Sequence, residues 1–220
     1  MGPILILTPL ALEHAALASA LGTGAEHGGT EQNGLKHLTI DGVALGLAVG
    51  GHGKVQFALT TQLLIQKHKP VLVVCTGAAG ALNPELNGLD VVVAEHTIEH
   101  DFNLRFVSRP LPQFPGDATA LAKIKRRLEP RPFRCHFGPL ASGDEDILEP
   151  ARAQEIRLKT DALAVAWEGA GGARACRLHG VPFIEIRAIT DAADPAAPQA
   201  FTKNLKRAMQ NAAEIIRLLL

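Results

Sequence analysis

The chain has 220 residues, 47% of them apolar, and its 22 basic and 22 acidic side chains give a formal net charge of +0. This length and composition predict one domain with a sizeable core, residues 1–220. The balanced charge argues against nucleic acid as a partner, and the apolar runs fall short of the ~20 residues that cross a bilayer.

Cysteine and histidine usage indicates neither a disulfide framework nor a metal site. The three cysteines, Cys75, Cys135 and Cys176, are odd in number, far apart and set in apolar runs. The nine histidines show no metal-binding spacing. We therefore expect buried thiols, no metal and a cytoplasmic location.

The first half of the chain reads as two strand-to-helix units joined by a hairpin. The predicted elements are strand Pro3–Leu7, a helix with Thr8 as N-cap and Pro9 at its first position, a polar connection Gly22–Gly34, strands Leu35–Ile40 and Val43–Val49, and a helix that follows Gly50–Val55 and ends near Lys67. The Asp41-Gly42 pair is a strong hairpin signal.

The second half alternates buried strands with helices. The predicted elements are strand Val71–Cys75, a glycine-containing loop Thr76–Leu82, strand Asp90–Ala94, a long loop His96–Gly116, helix Asp117–Leu128, strand Phe133–Ala141, helix Ala151–Thr160, strand Ala162–Trp167, helix Gly169–His179, strand Phe183–Ile189 and an amphipathic helix Pro198–Leu220. The near-continuous apolar strands indicate a sheet covered by helices on both faces.

Charged residues fall where two of these strands end. Glu168 follows the first, and Arg187 and Asp191 cluster at the end of the second. Because ligands of open α/β sheets bind beyond the carboxyl ends of strands, this pattern predicts a polar site. Ordinary capping, with Asp191 in a turn and Glu168 starting a helix, explains the pattern equally well.

Four stretches resemble the nucleoside phosphorylase and nucleosidase superfamily, most closely the methylthioadenosine/S-adenosylhomocysteine nucleosidases. They are AWEGA, VPFIEIRAITDAAD, VVCTGAAGALNPELNGLDVVVAEHTIEHDF and GPLASGDEDIL. They occur in the family's order and cover most of the chain. The resemblance implies an α/β fold, a three-layer α/β/α arrangement with a central mixed, partly barrel-like sheet.

The resemblance also implies catalytic roles for charged residues. Asp191 is expected to protonate the leaving purine, and Glu168 to accept hydrogen bonds from the ribose, with Trp167 packed on the sugar. Glu13, on the first helix, is expected to deprotonate the attacking water with assistance from Arg187. From the residues alone, Glu13 reads as a surface carboxylate favoured by a helix N-terminus.

Further substrate contacts follow from the same resemblance. Ile147 and the backbone N–H groups of Ala79 and Gly80 are assigned to substrate binding, as is Thr190. Phe102 and Phe106, in the long loop, are assigned to the pocket for the 5′ substituent, partly across a homodimer interface. An ordinary aromatic interface is the alternative for these two side chains.

Two residues depart from the family pattern. Ala78 replaces a serine that helps hold the catalytic water, and Asp146 replaces the phenylalanine that stacks on the purine. The expected activity is hydrolysis of a 5′-modified adenosine-like nucleoside, a small-molecule substrate, without a cofactor. The alternatives are a futalosine-type or other 5′-modified nucleoside, phosphorolysis of a purine nucleoside, and a nucleoside-binding protein without turnover.

Overall fold

A computed structural model describes residues 2–22, 30–32 and 35–220 of the chain. Its strands are β1 Ile4–Thr8, β2 Thr30–Gln32, β3 Leu35–Ile40, β4 Val43–Val49, β5 Leu72–Ala81, β6 Val91–Glu99, β7 Gln113–Pro115, β8 Cys135–Ser142, β9 Ala164–Ala166 and β10 Phe183–Asp191. Its helices are α1 Ala11–Ala20, α2 Lys54–His68, α3 Ala118–Arg127, α4 Pro150–Thr160, α5 Gly169–His179 and α6 Ala197–Arg217.

The strands form one mixed sheet that closes partly into a barrel. The strands β5, β10, β6, β8 and β9 pair in a ring, and β1, β4, β3 and β2 extend it from β5. Strand β5 makes this possible because its first half pairs with β1 and its last two residues pair with β9. The predicted mixed, partly barrel-like sheet is confirmed.

Helices cover both faces of the sheet, as the apolar strands predict. Strand β1 shows why: Ile4 and Ile6 pack into the cluster formed with α1 and α6, whereas Leu5 and Leu7 pack into the cluster formed with α2 and α5. Alternate residues of a strand point to opposite faces, so both faces of β1 are apolar and buried. Among the described residues, no helix is long and apolar enough to cross a membrane.

Local signals place several elements accurately. The hairpin β3–β4 turns at Asp41 and Gly42, with φ of 50° and 78°, the left-handed pair that a type I′ turn requires. Helix α5 spans the predicted Gly169–His179 and ends at Gly180 in the left-handed conformation.

The predicted start of the first helix is wrong. Thr8 is the last residue of β1, and Leu10 is the N-cap of α1. Leu10 has no capping hydroxyl, but the Glu13 carboxylate at the third helical position satisfies the Leu10 N–H, with its Oε2 accepting a hydrogen bond of 2.9 Å.

Strands replace parts of two predicted loops. The prediction of a loop at Thr76–Leu82 is wrong, because β5 continues to Ala81 and pairs with β10 and β9 there. The loop His96–Gly116 begins later, since β6 runs to Glu99 and pairs with β7 near its end. In the segment Gly22–Gly34, Thr30–Gln32 forms an edge strand, and residues 23–29 and 33–34 lie outside the described residues.

Candidate active site

A cavity of about 350 Å³ lies beside the ends of β5, β9 and β10, the first turns of α1 and α6, and the residue that precedes α5. Its volume is in the range of small-molecule sites. Its lining brings together Glu13, Ala79, Gly80, Ile147, Trp167, Glu168, Arg187 and Asp191 from the predicted site. Charged residues that are far apart in the sequence therefore meet around one space.

Three predicted site residues are absent from this lining. Thr190 is buried behind the cavity, where its hydroxyl donates to Asp191 Oδ2 at 2.7 Å. Phe102 is half-exposed, and the centroid of its ring lies 5.6 Å from the guanidinium carbon of Arg174. Phe106 is fully exposed. The single chain thus leaves both phenylalanines outside the cavity.

Glu13 is a buried carboxylate held by backbone donors. Its Oε1 accepts from the Ala78 N–H at 2.8 Å and its Oε2 accepts from Leu10. Burial raises the pKa of the carboxyl from 4.5 to about 7, against the lowering effects of Arg187 and of the two N–H groups. A carboxyl that titrates near neutral pH suits a general base, and the surface interpretation of Glu13 is wrong.

Arg187 is 1% exposed and lies among acidic side chains. Its Nη2 donates to Glu168 Oε2 at 3.2 Å, and its Nε donates to Glu185 Oε1 at 2.8 Å. Its Nη1 donates to the Ala78 carbonyl at 3.4 Å. The guanidinium therefore compensates buried carboxylates that would otherwise be costly to desolvate.

Glu168 points into the cavity although it also begins a helix. Its backbone carbonyl accepts from Gly171 and Gly172 as the N-cap of α5, while its side chain makes no capping bond. Instead, Oε1 accepts from the Gly53 N–H at 3.2 Å. The backbone of Glu168 thus caps the helix, while its side chain is part of the polar site.

Asp191 is likewise both a turn residue and a site residue. Its Oδ1 accepts from the Ala193 N–H at 3.0 Å, which is the predicted turn cap. A register shift near Ile189 and Asp191 in the pairing of β10 with β5 redirects the strand at this point. A Cβ on Gly80 would lie 2.9 Å from Asp191 Oδ1, so the glycine permits the close approach.

The cavity wall also contains residues outside the predicted set of site residues. His52 packs against Trp167 with the two rings tilted and their centroids 4.2 Å apart. Phe201 lines the cavity from α6, although its helical spacing predicts only core or subunit packing. Asp146 lines the cavity and is exposed.

Comparisons with known proteins show what the whole chain is similar to. A family model described as the phosphorylase superfamily matches residues 3–220. The chain is 34% identical over 181 residues to the 5′-methylthioadenosine/S-adenosylhomocysteine nucleosidase of Staphylococcus epidermidis, which is 79% of this chain and 79% of the relative.

Two solved structures have closely similar folds. The nucleosidase of the same name from Neisseria meningitidis, in complex with methylthio-immucillin-A, gives a TM-score of 0.85 at 27% identity and covers 100% of this chain and 98% of its own. Futalosine hydrolase of Helicobacter pylori gives a TM-score of 0.88 at 25% identity and covers 99% and 97%. The similarity therefore extends over essentially the whole fold.

Burial of Glu13 predicts that its replacement changes how stability depends on pH. Because the folded-state pKa is about 7 and the ordinary value is 4.5, the native state retains a proton that the unfolded chain releases in this window. Native stability therefore falls as pH rises from 4.5 through about 7. Glu13→Gln lacks this titration. Between the low and the high end of the window, its free energy of unfolding should therefore rise by about 3 kcal/mol relative to that of the parent.

The measurement is the urea-unfolding free energy of both proteins at about pH 4.5 and about pH 8. A constant offset is expected because the amide introduced in place of the Glu13 carboxylate faces two N–H donors, and this offset cancels in the comparison. Parallel stability curves for the two proteins would contradict a raised Glu13 pKa.

Proposed function

Because this chain belongs to the phosphorylase superfamily, we propose that it is a nucleosidase that hydrolyses the N-glycosidic bond of a 5′-modified adenosine-like nucleoside. The curated relatives over about 80% of the chain are nucleosidases that cleave this bond type. The main support for the proposal is that one cavity is lined by four charged side chains, Glu13, Glu168, Arg187 and Asp191. The proposed reaction assigns no role to a cofactor.

Each charged side chain has a task in the proposed reaction. Cleavage passes through an oxocarbenium-like sugar, by analogy with O-glycosides. Asp191 protonates the leaving purine, and Glu168 accepts hydrogen bonds from the ribose hydroxyls beside Trp167. Glu13 removes a proton from the attacking water, and Arg187 orients that water and the two carboxylates. The raised pKa of Glu13 supports its role, because a base works best when its pKa is near the working pH.

Water is proposed as the nucleophile in preference to phosphate. A phosphate dianion needs concentrated positive charge and several donors. Among the described residues that line the cavity, Arg187 is the only arginine or lysine, and it already pairs with Glu168 and Glu185. The Glu13 carboxylate beside it would repel an anion in a desolvated pocket.

A futalosine-type nucleoside is the second candidate substrate. The structural similarity to futalosine hydrolase, which is as close as that to the methylthioadenosine/S-adenosylhomocysteine nucleosidase, favours it. The exposed carboxylate of Asp146 on the cavity wall is a second reason, since it gives the base-binding region a different chemistry from a stacking ring.

We predict that free base is released from the preferred nucleoside at the same rate with and without phosphate. The test is a panel of methylthioadenosine, S-adenosylhomocysteine, futalosine and adenosine, with the base and the sugar product separated by chromatography. Glu13→Gln should abolish release while the nucleoside still binds. Accumulation of a sugar 1-phosphate, with turnover lost in phosphate-free buffer, would establish a phosphorylase instead.

We predict that Asp191→Asn lowers kcat by about 10²–10⁴-fold, the usual contribution of a general acid, while substrate binding persists. The matched control is Asp194→Asn, because Asp194 lies outside the cavity lining and its side chain accepts from the nearby Ala196 N–H. Retention of more than about half of the parent rate in Asp191→Asn would remove Asp191 from the role of acid.

We also propose a homodimer in a reducing cytoplasm. Val55, Leu59 and Leu63 follow one another at four-residue spacing on α2 and are 71%, 60% and 62% exposed. The segment with Phe102 and Phe106 joins this face, because Lys54 Nζ donates to Asp101 at 2.5 Å. An apolar face of this kind favours association, and three unpaired cysteines suit a reducing compartment.

The dimer predicts that Leu59→Asp yields a monomer, because a carboxylate would be desolvated in the interface. The mass in solution is measured by light scattering coupled to size-exclusion chromatography. Leu158→Asp is the matched control, since Leu158 is 79% exposed on α4 and is not part of the apolar row on α2. Equal masses for the parent chain and Leu59→Asp would contradict the proposed interface.

A further inference from the structure

A buried carboxylate that does not line the cavity lies directly behind Arg187. Glu185 is 1% exposed and is placed in β10 two residues before Arg187. Residues two apart in a strand share a face, so both side chains leave β10 on the same side. A charged group buried to this degree is costly unless it is paired and hydrogen-bonded.

Both oxygens of Glu185 have partners. Its Oε1 accepts from Arg187 Nε at 2.8 Å, and its Oε2 accepts from the Thr97 hydroxyl of β6 at 2.6 Å. The carboxylate thus connects Arg187 to a neighbouring strand of the barrel. It takes the Nε donor and leaves the terminal nitrogens of the guanidinium to Glu168 and Ala78.

The surrounding backbone leaves room for this carboxylate at one position. A Cβ on Gly169, the first residue of α5, would lie 1.9 Å from Glu185 Oε2. A Cβ on Gly77 would lie 2.8 Å from Arg187 Nη1 and 2.6 Å from Glu13 Oε1. Gly169 and Gly77 therefore leave space that the Glu185 carboxylate and the Arg187 guanidinium occupy.

We propose that Glu185 is a positioning residue, which holds Arg187 through Nε so that its terminal nitrogens lie beside Glu168 and Glu13. The role rests on the proposed nucleosidase function. Glu185 touches neither the cavity nor a reacting atom, so it acts only through Arg187. The groups that face the guanidinium are Glu13 from α1, Cys75 from β5, Glu168 from the start of α5 and Glu185 from β10.

Two substitutions separate the hydrogen bond of Glu185 from its charge. In Glu185→Gln, the amide oxygen still accepts from Arg187 Nε and the amide nitrogen donates to the Thr97 hydroxyl, so the geometry is kept and the charge is lost. In Glu185→Val, both are lost and Arg187 is no longer held through Nε.

The valine variant should lower kcat by about 10²-fold, as expected for displaced catalytic groups, with a smaller change in KM. The glutamine variant should restore kcat to within about 10-fold of the parent. The pH profile of Glu185→Gln should differ, because the Glu185 carboxylate no longer offsets the positive charge of Arg187. Arg187 then stabilises the ionised Glu13 carboxylate more strongly. Since Glu13 acts in its deprotonated form, the rising limb of kcat/KM should move to lower pH in Glu185→Gln.

The structural control is Glu99→Gln. Glu99 is also buried and paired, with Lys54 and Arg174, but its ion pairs do not include Arg187. It is expected to lose stability without a shift in the pH profile. If Glu185→Val does not fold, Glu185→Gln alone decides the question through its pH profile.

A second readout does not depend on turnover. The Glu13 carboxyl is titrated by NMR of glutamate-labelled protein, with Glu13→Gln used for assignment. The Glu13 midpoint should be lower in Glu185→Gln than in the parent chain. An unchanged midpoint together with an unchanged pH profile would overturn the role of Glu185, whereas absence of turnover in the parent with a shifted midpoint would overturn only the nucleosidase function.

Discussion

The buried guanidinium of Arg187 is the interaction on which the candidate site depends. It lies among carboxylates from three elements: Glu13 of α1, Glu168 at the start of α5 and Glu185 of β10. Breaking one side of such a buried pair leaves an uncompensated charge and costs about 3–5 kcal/mol. The position of this one cation therefore couples the first helix, the last strand of the barrel and the start of α5.

The glycines of β5 allow charged side chains from other elements to lie close to its backbone. A side chain on Gly77 would overlap Glu13 and Arg187, and one on Gly80 would crowd Asp191. In sequence, glycines at this spacing favour a loop. Here pairing with β10 and β9 holds the segment as a strand, and the glycines provide space for side chains from other elements.

Local signals in the sequence predict the elements but not their long-range neighbours. The Asp41-Gly42 hairpin, α5 and the charges at the strand ends follow from turn chemistry and periodicity, and family resemblance supplies the roles. The position of Glu185 does not follow, because in sequence it is one polar residue inside an apolar strand. Its meaning depends on Thr97 and on the space above Gly169, and both are distant in the chain. The position of Phe201 in the cavity wall is not predicted for a similar reason, since helical spacing alone does not distinguish a core residue from one that lines a cavity.

The charge balance around Arg187 also fits the proposed chemistry. One guanidinium faces Glu13, Glu168 and Glu185, and the raised pKa of Glu13 keeps that carboxyl partly protonated near neutral pH. The cluster is therefore less negative before reaction and becomes more negative when Glu13 is ionised. In the proposed hydrolysis, an ionised Glu13 is the form able to accept a proton from water, and until it does so its negative charge favours the positive charge that develops on the sugar. Under that proposal, the burial that makes Glu13 costly for folding also serves cleavage.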